Sequence, residues 1–282
     1  MQQTLERHPW NTDFTWWTPE GPHRALNEAE ARQFDEHGFV VLEDVIDLQV
    51  LAEVRDACDR AEARIEEFLQ SQDSGRMSIA ESGAITFTTH LVARDAVCRA
   101  FAAHPLFTDL CADLIGPDAN LYWDQAVYKK PEKPRRFPWH QDNGYTFVEP
   151  QQYLTCWVPL TDATVENGCP QVAAGLHTLG TVKHHYVDPL GFECMTDPDG
   201  VAVAPVRAGG VVVFSSLTPH LTGPNTTDDV RKAYILQYAP EGAEILRGDP
   251  ASGEVPAREP ANAPERQFAV LRNGERVEPP AL

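Results

Sequence analysis

The chain has 282 residues, of which 42% are hydrophobic and 23% are charged, as is usual for a soluble globular protein. Its formal net charge of −19 argues against sequence-independent nucleic-acid binding and against an anionic membrane surface. No apolar run has transmembrane length, and the first residues lack the apolar segment of a secretory signal. We therefore expect a cytoplasmic protein whose six cysteines are reduced and mostly buried.

Helical signals dominate the first part of the chain. Residues 1–26 are rich in Trp and Pro and predict an irregular arm. Asn27 is a suitable N-cap for a helix that the His-Gly pair at 37–38 should end, and Asp47 is a suitable N-cap for a longer one. In that longer helix, residues 48–65 carry apolar side chains at helical spacing, which indicates packing against a sheet.

Strand-like patterns replace the helical ones in the second half of the chain. The strand candidates there are 120–129, 153–160, 201–206, 211–214 and 233–238, and one short candidate, 39–42, comes earlier. Helices first and short strands afterwards predict an α+β, mainly β fold, in which helices brace one side of a β-sandwich. Residues 241–282, rich in Pro, Gly and Glu, should form an extension packed on the same domain, with a hairpin near its end.

The tetrapeptide Trp139-His140-Gln141-Asp142 holds the first candidate metal ligands. Of the ten histidines only His140 is followed two residues later by a carboxylate, and in a strand such positions point to one face. A second histidine, His220, follows a strand candidate and lies 80 residues further along. Two histidines and one carboxylate are the ligand set that binds non-haem Fe(II) and leaves coordination positions open.

Arg231 is a candidate anchor for a co-substrate. It lies eleven residues beyond His220, at the head of a strand, and a hairpin between the two would bring it alongside the metal. An Fe(II) site that activates dioxygen needs two further electrons, which 2-oxoglutarate supplies as it loses CO2. A guanidinium binds the distal carboxylate of that molecule as a bidentate fork, which a lysine cannot do.

Further motifs follow in a characteristic order. They are Asn167-Gly168-Cys169-Pro170, Gly175-Leu176-His177, Gly209-Gly210, His220-Leu221-Thr222-Gly223-Pro224-Asn225 and Arg231-Lys232-Ala233. With the tetrapeptide, this order resembles the phytanoyl-CoA dioxygenase (PhyH) family of Fe(II)/2-oxoglutarate-dependent oxygenases, over about residues 27–240. The resemblance implies a double-stranded β-helix, a jelly-roll of the cupin-like kind, as one domain over 27–240 with the metal at its mouth.

The resemblance also implies roles for individual residues. His140, Asp142 and His220 become the Fe(II) ligands and hence the catalytic residues. The 2-oxoglutarate pocket is assigned to residues on neighbouring strand candidates, namely Arg231, Thr222, Gln125 and Thr155. Dioxygen is the second co-substrate. Because Asp142 is a carboxylate, and not the small residue of related halogenases, we expect hydroxylation or a related oxidation.

Substrate contacts are open to two interpretations. The basic run at 129–136 precedes the metal ligands, and through Arg135 and Arg136 it could attract an anionic substrate. It could equally be a solvated loop. Trp157 could be a wall of the substrate pocket or a core residue. His177 is expected to hydrogen-bond structurally, and the pair at 184–185 is expected at the surface.

The function that these features favour is hydroxylation of a small organic molecule, in secondary metabolism, by a 2-oxoglutarate-dependent iron dioxygenase. Two alternatives stay open. One is a hydrolase or isomerase that uses a jelly-roll with another divalent metal, although such an enzyme does not need an arginine at 231. The other is a non-catalytic sensor that binds the metal or 2-oxoglutarate. The sequence does not indicate the oligomeric state.

Overall fold

Four α-helices precede most of the strands in the computed structural model, which describes residues 5–131 and 133–282. They are α1 Glu28–His37, α2 Leu48–Ser71, α3 Ala96–Ala102 and α4 Pro105–Leu114. Asn27 caps α1 in a capping box, and Gly38 ends it with φ 79°. Asp47 caps α2 by accepting hydrogen bonds from two backbone amides. The helix signals predicted from the sequence are thereby confirmed.

A large antiparallel sheet forms the centre of the molecule. Its strands are β1 Phe39–Leu42, β2 Arg76–Met77, β3 Ala80–Glu81, β4 Ile85–Thr89, β5 Ala119–Lys129, β7 Leu154–Pro159, β12 Val211–Ser215, β14 Arg231–Pro240, β17 Ala269–Arg272 and β18 Glu275–Arg276. They run in the order β1-β12-β7-β14-β5-β4-β3-β2, and β17 joins β5 and β18 at the side. The predicted late hairpin is therefore present and extends this sheet.

Three smaller sheets complete the β structure. The minor sheet has the order β11-β8-β13, and another has the order β16-β15-β6, while β9 pairs with β10. The bounds are β6 Val148–Glu149, β8 Pro170–Ala173, β9 His185–Val187, β10 Gly191–Glu193, β11 Val201–Val203, β13 His220–Thr222, β15 Glu244–Arg247 and β16 Ala257–Pro260. Single turns of 3-10 helix lie at Leu91–Ala93, Asp142–Gly144 and Leu176–Leu179.

Alternation along the strands divides the buried residues into two layers. In β14, Tyr234 and Leu236 pack in the core that contains the helices, whereas Ala233 and Ile235 pack in the core between the two sheets. Every residue of β7 is buried, because the helices cover its outer face and the minor sheet lies across its inner face. The result is the expected double-stranded β-helix, mainly β and braced by helices on one side.

The arm preceding α1 packs on the body. The Trp16 indole donates a hydrogen bond of 2.7 Å to Asp35, and its ring lies 4.4 Å from the ring of His177. His177 in turn bonds the Asp35 carbonyl at 3.0 Å, which is the structural role expected for it. Residues 1–4 of the predicted arm lie outside the described residues.

All six cysteines are free and buried, as expected. Within the part of the chain that the structure describes, no helix combines the length and apolar character needed to cross a membrane.

Candidate metal centre

His140 and His220 are brought together by backbone pairing. The two residues form an isolated antiparallel bridge, in which each amide donates a hydrogen bond of 2.9 Å to the other carbonyl. Their rings lie 4.2 Å apart, centroid to centroid. The first histidine therefore stands at the edge of the minor sheet, beside β13.

Asp142 is not on a strand, contrary to the expectation for the His-x-Asp motif. It opens the 3-10 turn Asp142–Gly144, since Asn143 and the glycine after it favour a turn. The Asn143 side chain holds this turn, because its amide donates to Thr181 Oγ1 at 2.6 Å and its oxygen accepts from the Val148 amide at 2.8 Å. The turn, not a shared strand face, aims the carboxylate at the histidines.

The three side chains form a group that could hold a metal ion. Asp142 Oδ1 lies 3.9 Å from Nε2 of His140 and 3.9 Å from Nε2 of His220. One ligand atom from each residue lies within 4.8 Å of the others. Two imidazole nitrogens and one carboxylate oxygen on one side of the ion correspond to the facial triad of non-haem iron sites.

Hydrogen bonds set the tautomer of both histidines. Nδ1 of His140 bonds the Pro138 carbonyl at 2.8 Å, and Nδ1 of His220 bonds the Thr218 carbonyl at 3.0 Å. A carbonyl only accepts, so each Nδ1 carries the proton and each Nε2 presents a lone pair towards Asp142. Burial, together with the neighbouring His220, holds the pKa of His140 well below its usual value, which keeps the ring neutral.

Thr155 is bonded to Asp142. Its hydroxyl donates a hydrogen bond of 2.6 Å to Asp142 Oδ2 and accepts a longer one, of 3.4 Å, from Gln237. The proton of this hydroxyl is therefore committed to the carboxylate. That Thr155 also binds 2-oxoglutarate stays a prediction, and its contact with Asp142 gives it a positioning role besides.

Arg231 is a buried cation without a partner. It is 1% exposed, and none of its three guanidinium nitrogens has a hydrogen bond within the described ranges. The ring of Trp157 lies 5.2 Å from the guanidinium carbon. Burial lowers the pKa of Arg231 to about 9, which expresses the cost of an unpaired buried charge. A site of this kind is built to receive an anion.

Arg231 reaches the site by a route that differs from the expected hairpin. His220 begins β13 in the minor sheet, whereas Arg231 begins β14 in the large sheet. The intervening loop crosses between the sheets, and Asn225 holds it by donating to the carbonyls of Lys129 and Asp229 at 3.0 and 2.6 Å. The histidine and the arginine therefore belong to opposite walls of the sandwich.

A cavity of about 420 Å³ adjoins the three ligand atoms. This volume lies within the range of about 300–1,000 Å³ that is usual for small-molecule sites. The cavity is lined by most of the residues predicted from the sequence, namely His140, Asp142, His220, Arg231, Thr222, Gln125, Thr155 and Trp157. These residues come from five separate segments of the chain, and the fold gathers them around one space.

Arg135 and Arg136 are not among the described residues that line this cavity, and their contact with substrate stays a prediction. Arg135 donates to the Pro189 carbonyl at 2.6 Å and pairs with Glu81 at 3.4 Å. Arg136 pairs with Glu193 at 3.0 Å. Both guanidinium groups have acidic partners outside the cavity, so the basic run is largely neutralised. Position 132 of this run lies outside the described residues.

Two residues near the site were missed or misplaced in the sequence analysis. Lys129 is buried, and its ammonium donates to the carbonyls of Arg135, Thr222 and Gly223 at 3.2, 2.7 and 2.6 Å. Alternation along its strand was a signal that could have found it, because Gln125 and Lys129 share the inner face. His184, expected at the surface, accepts a hydrogen bond of 2.9 Å from the Gln141 amide, between the two ligands.

Comparisons with known proteins agree with this geometry. A family model described as phytanoyl-CoA dioxygenase (PhyH) matches residues 34–233. A methylphosphonate hydroxylase of Gimesia maris is 29% identical over 160 residues, 54% of this chain and 57% of that protein. An ectoine dioxygenase of Bordetella parapertussis is 24% identical over 240 residues, 76% of this chain and 75% of that protein. The chain thus spans little more than half the length of the first of these relatives.

A solved structure shares the fold. The epimerase SnoN, crystallised in complex with Fe3+, alpha ketoglutarate and nogalamycin RO, is similar with a TM-score of 0.63 at 23% identity. The similarity covers 83% of this chain and 93% of that one.

Proposed function

The chain belongs to the phytanoyl-CoA dioxygenase family, and we propose that it is an Fe(II)- and 2-oxoglutarate-dependent dioxygenase of a small organic molecule. The observation that carries this proposal is the juxtaposition of two features in one cavity. A His-Asp-His group faces it from one side, and an unpaired buried guanidinium faces it from another.

The residues fit the iron and the co-substrate. Neutral imidazole nitrogens and a carboxylate oxygen are donors that Fe(II) accepts, and His140, Asp142 and His220 would hold it. Arg231 would bind the distal carboxylate of 2-oxoglutarate, which would give its buried charge the partner that it lacks. A hydrolase or isomerase that does not use 2-oxoglutarate has no need of such a charge.

The chain's own residues would prepare the site for reaction. Thr155 holds Asp142 Oδ2, so that Oδ1 stays turned towards the histidines. The Trp157 ring covers the guanidinium of Arg231 and limits where a carboxylate can approach it. Thr222 and Gln125 line the cavity beside this pair, which supports their proposed place in the 2-oxoglutarate pocket.

The bound iron and 2-oxoglutarate would supply the oxidising chemistry, in which one oxygen of O2 enters the substrate as hydroxyl and the other enters succinate as CO2 leaves. Hydroxylation or a related oxidation is favoured over halogenation, because Asp142 occupies the carboxylate position of the triad. We place the substrate in secondary metabolism and the enzyme in the cytoplasm. The second assignment is supported by six free, buried thiols.

An anaerobic titration tests this proposal. Fe(II) and 2-oxoglutarate added to the native protein should produce the visible metal-to-ligand charge-transfer band of the chelated co-substrate. Asp142→Ala should lose the metal, the band and succinate formation together. Arg231→Met should keep the metal but bind 2-oxoglutarate far more weakly. Arg136→Met, which lies outside the cavity, is the matched control and should behave as the native protein does.

Two results would contradict the proposal. Folded native protein without the band would remove the 2-oxoglutarate assignment. A native protein that shows the band but forms no succinate with any compound of a broad substrate screen would instead favour a sensor.

A further inference from the structure

The cavity has room beyond its metal ligands and its guanidinium, and the chemistry of its walls restricts what can fill that room. We propose that the substrate is uncharged and ring-bearing, with hydroxyl or carbonyl groups for hydrogen bonding. This inference rests on the proposed function, because it assigns Arg231 to 2-oxoglutarate. It differs from what the name of the phosphonate-hydroxylating relative suggests.

The described residues of the cavity walls offer an anionic substrate no free cation. Among the described residues that line the cavity, Arg231 is the one permanent cation. Lys129 lies nearby, but its three ammonium protons are directed at three carbonyls. Once 2-oxoglutarate is bound to Arg231, a phosphonate or second carboxylate would have to lose its hydration with no free side-chain cation to pair with, which is unfavourable.

A cationic substrate is equally short of partners. Asp142 is the one carboxylate among the described lining residues, and it is engaged by Thr155 on one oxygen and faces the histidines with the other. An ammonium group would therefore enter the cavity unpaired.

The overall charge of the protein adds a second argument against anionic substrates. Its net charge of −19 disfavours the approach of anions from solution.

Aromatic side chains form a wall beside the metal group. Phe137 lies 4.8 Å from the His140 ring, 5.9 Å from Phe87 and 6.3 Å from Tyr145, to which it is nearly parallel. Edge and offset contacts of this kind are those that a planar or puckered ring of a ligand can continue. Met77 and Ile79 of the β2–β3 segment add aliphatic surface to the same cavity.

Neutral polar side chains also line the cavity. Among them are Tyr122 and Tyr153, which carry hydroxyl groups and lie with their rings 5.5 Å apart. Burial raises the pKa of Tyr122 to about 12, so its hydroxyl stays a neutral donor. Two neutral hydroxyl groups beside an apolar wall match a substrate that carries hydroxyl or carbonyl oxygens.

Matched probes that differ only in charge test this inference. The native protein, loaded anaerobically with Fe(II) and saturating 2-oxoglutarate, is titrated with benzyl and naphthylmethyl compounds as alcohols, phosphonates and ammonium salts. Binding is measured by equilibrium dialysis and by the shift of the charge-transfer band. The alcohols should bind at least about tenfold more tightly than either charged series, since desolvating an unpaired charge is costly.

A charge introduced into the wall gives a second test. Thr146→Lys, at a cavity-lining residue outside the 2-oxoglutarate pocket, should reduce the preference for the alcohols and improve binding of the phosphonates, while Thr146→Met, with a neutral side chain of similar length to lysine, should not. If the phosphonates bind the native protein as tightly as the alcohols, or if no alcohol binds, the inference is overturned. Loss of the proposed function itself has a different signature, because the charge-transfer band is then missing before any probe is added.

Discussion

Thr155 Oγ1 lies 2.6 Å from Oδ2 of Asp142, and this hydrogen bond leaves Oδ1 of the same carboxylate facing the Nε2 atoms of both histidines. The pair connects a strand of the large sheet to the turn that follows His140. One wall of the sandwich thereby orients a ligand that belongs to the other. A ligand held from a second element loses its alternative rotamers before any metal arrives.

Removal of this hydrogen bond should weaken metal binding without unfolding the protein. Thr155→Val keeps the shape and loses the hydroxyl, so Fe(II) affinity should fall about 10–100-fold, as is usual when a hydrogen-bond partner of a metal ligand is lost. Thr155→Ser restores the donor and should recover most of the affinity. The dissociation constant for Fe(II), measured anaerobically for the native protein and both variants, tests this prediction. Equal metal affinity in native and Thr155→Val proteins would show that the bond does not position Asp142.

Loss of the Arg231 charge should stabilise the protein that lacks 2-oxoglutarate. Arg231→Met removes an unpaired cation from a fully buried position, and replacing buried charge by apolar surface gains about 1–4 kcal/mol in favourable cases. The Tm without ligand should rise, and the increase in Tm that 2-oxoglutarate produces with the native protein should vanish.

Arg231→Lys is the control for this experiment. It keeps a cation but not the bidentate fork, so it should bind 2-oxoglutarate weakly and show no gain in Tm. A lower Tm for ligand-free Arg231→Met than for the native protein would contradict the view that the guanidinium is unpaired.

Lys129 should matter more for stability than its neighbours in the basic run. Burial, with the charges of Arg231 and Arg135, lowers the pKa of Lys129, yet its three carbonyl acceptors require the three N–H groups of the ammonium form. Lys129→Met would remove this donor from the Arg135 and Gly223 carbonyls, while the Phe137 amide would still bond the Thr222 carbonyl, and it should lower the free energy of unfolding by about 3 kcal/mol.

Lys133→Met provides the comparison for Lys129. The Lys133 side chain is 57% exposed and makes one loose ion pair, so its loss should change the unfolding free energy by less than about 0.5 kcal/mol. Urea unfolding of both variants measures the difference. Similar values for the two would mean that the Lys129 carbonyl contacts contribute little.

His90 should make stability depend on pH in the mildly acidic range. Burial, reinforced by the charges of Arg266 and Arg94, lowers the pKa of His90 from 6.5 to about 4. The unfolded chain therefore binds a proton at this residue before the folded one does, and stability should fall as the pH decreases from 6.5 towards about 4.

The substitution His90→Asn should flatten this part of the stability profile. Asparagine tolerates the left-handed backbone at this position, where φ is 58°, and it does not titrate. Urea midpoints of the two proteins between pH 7 and pH 4 give the comparison, and parallel profiles would exclude His90 as a contributor.

Local signals in the sequence predicted the elements of this fold well. Asn27, Gly38 and Asp47 mark helix ends through contacts with their immediate neighbours, so the physics involved is contained in a few residues. The β runs were visible for the same reason, because alternation and turn residues act within one strand. The order of the motifs also sufficed to select His140, His220 and Arg231 as candidates.

Pairing decided what the sequence could not. The spacing of eleven residues between His220 and Arg231 suggests a hairpin, yet the two residues lie in different sheets. The strand of His220 pairs with β8 and the strand of Arg231 pairs with β5, instead of with each other. Arg135 and Arg136 look like a free basic patch until Glu81 and Glu193 are brought beside them.

The sequence by itself therefore determined the kinds of elements, the family resemblance and the chemical identity of the candidate ligands. Only the tertiary structure decided that Thr155 bonds Asp142, that Arg231 has no hydrogen-bond partner among the described residues, and that the other described lining residues form a largely neutral, apolar surface. The reason is physical. Partners of a buried charge or hydroxyl are set by distances between segments far apart in the chain, and no local pattern encodes those distances.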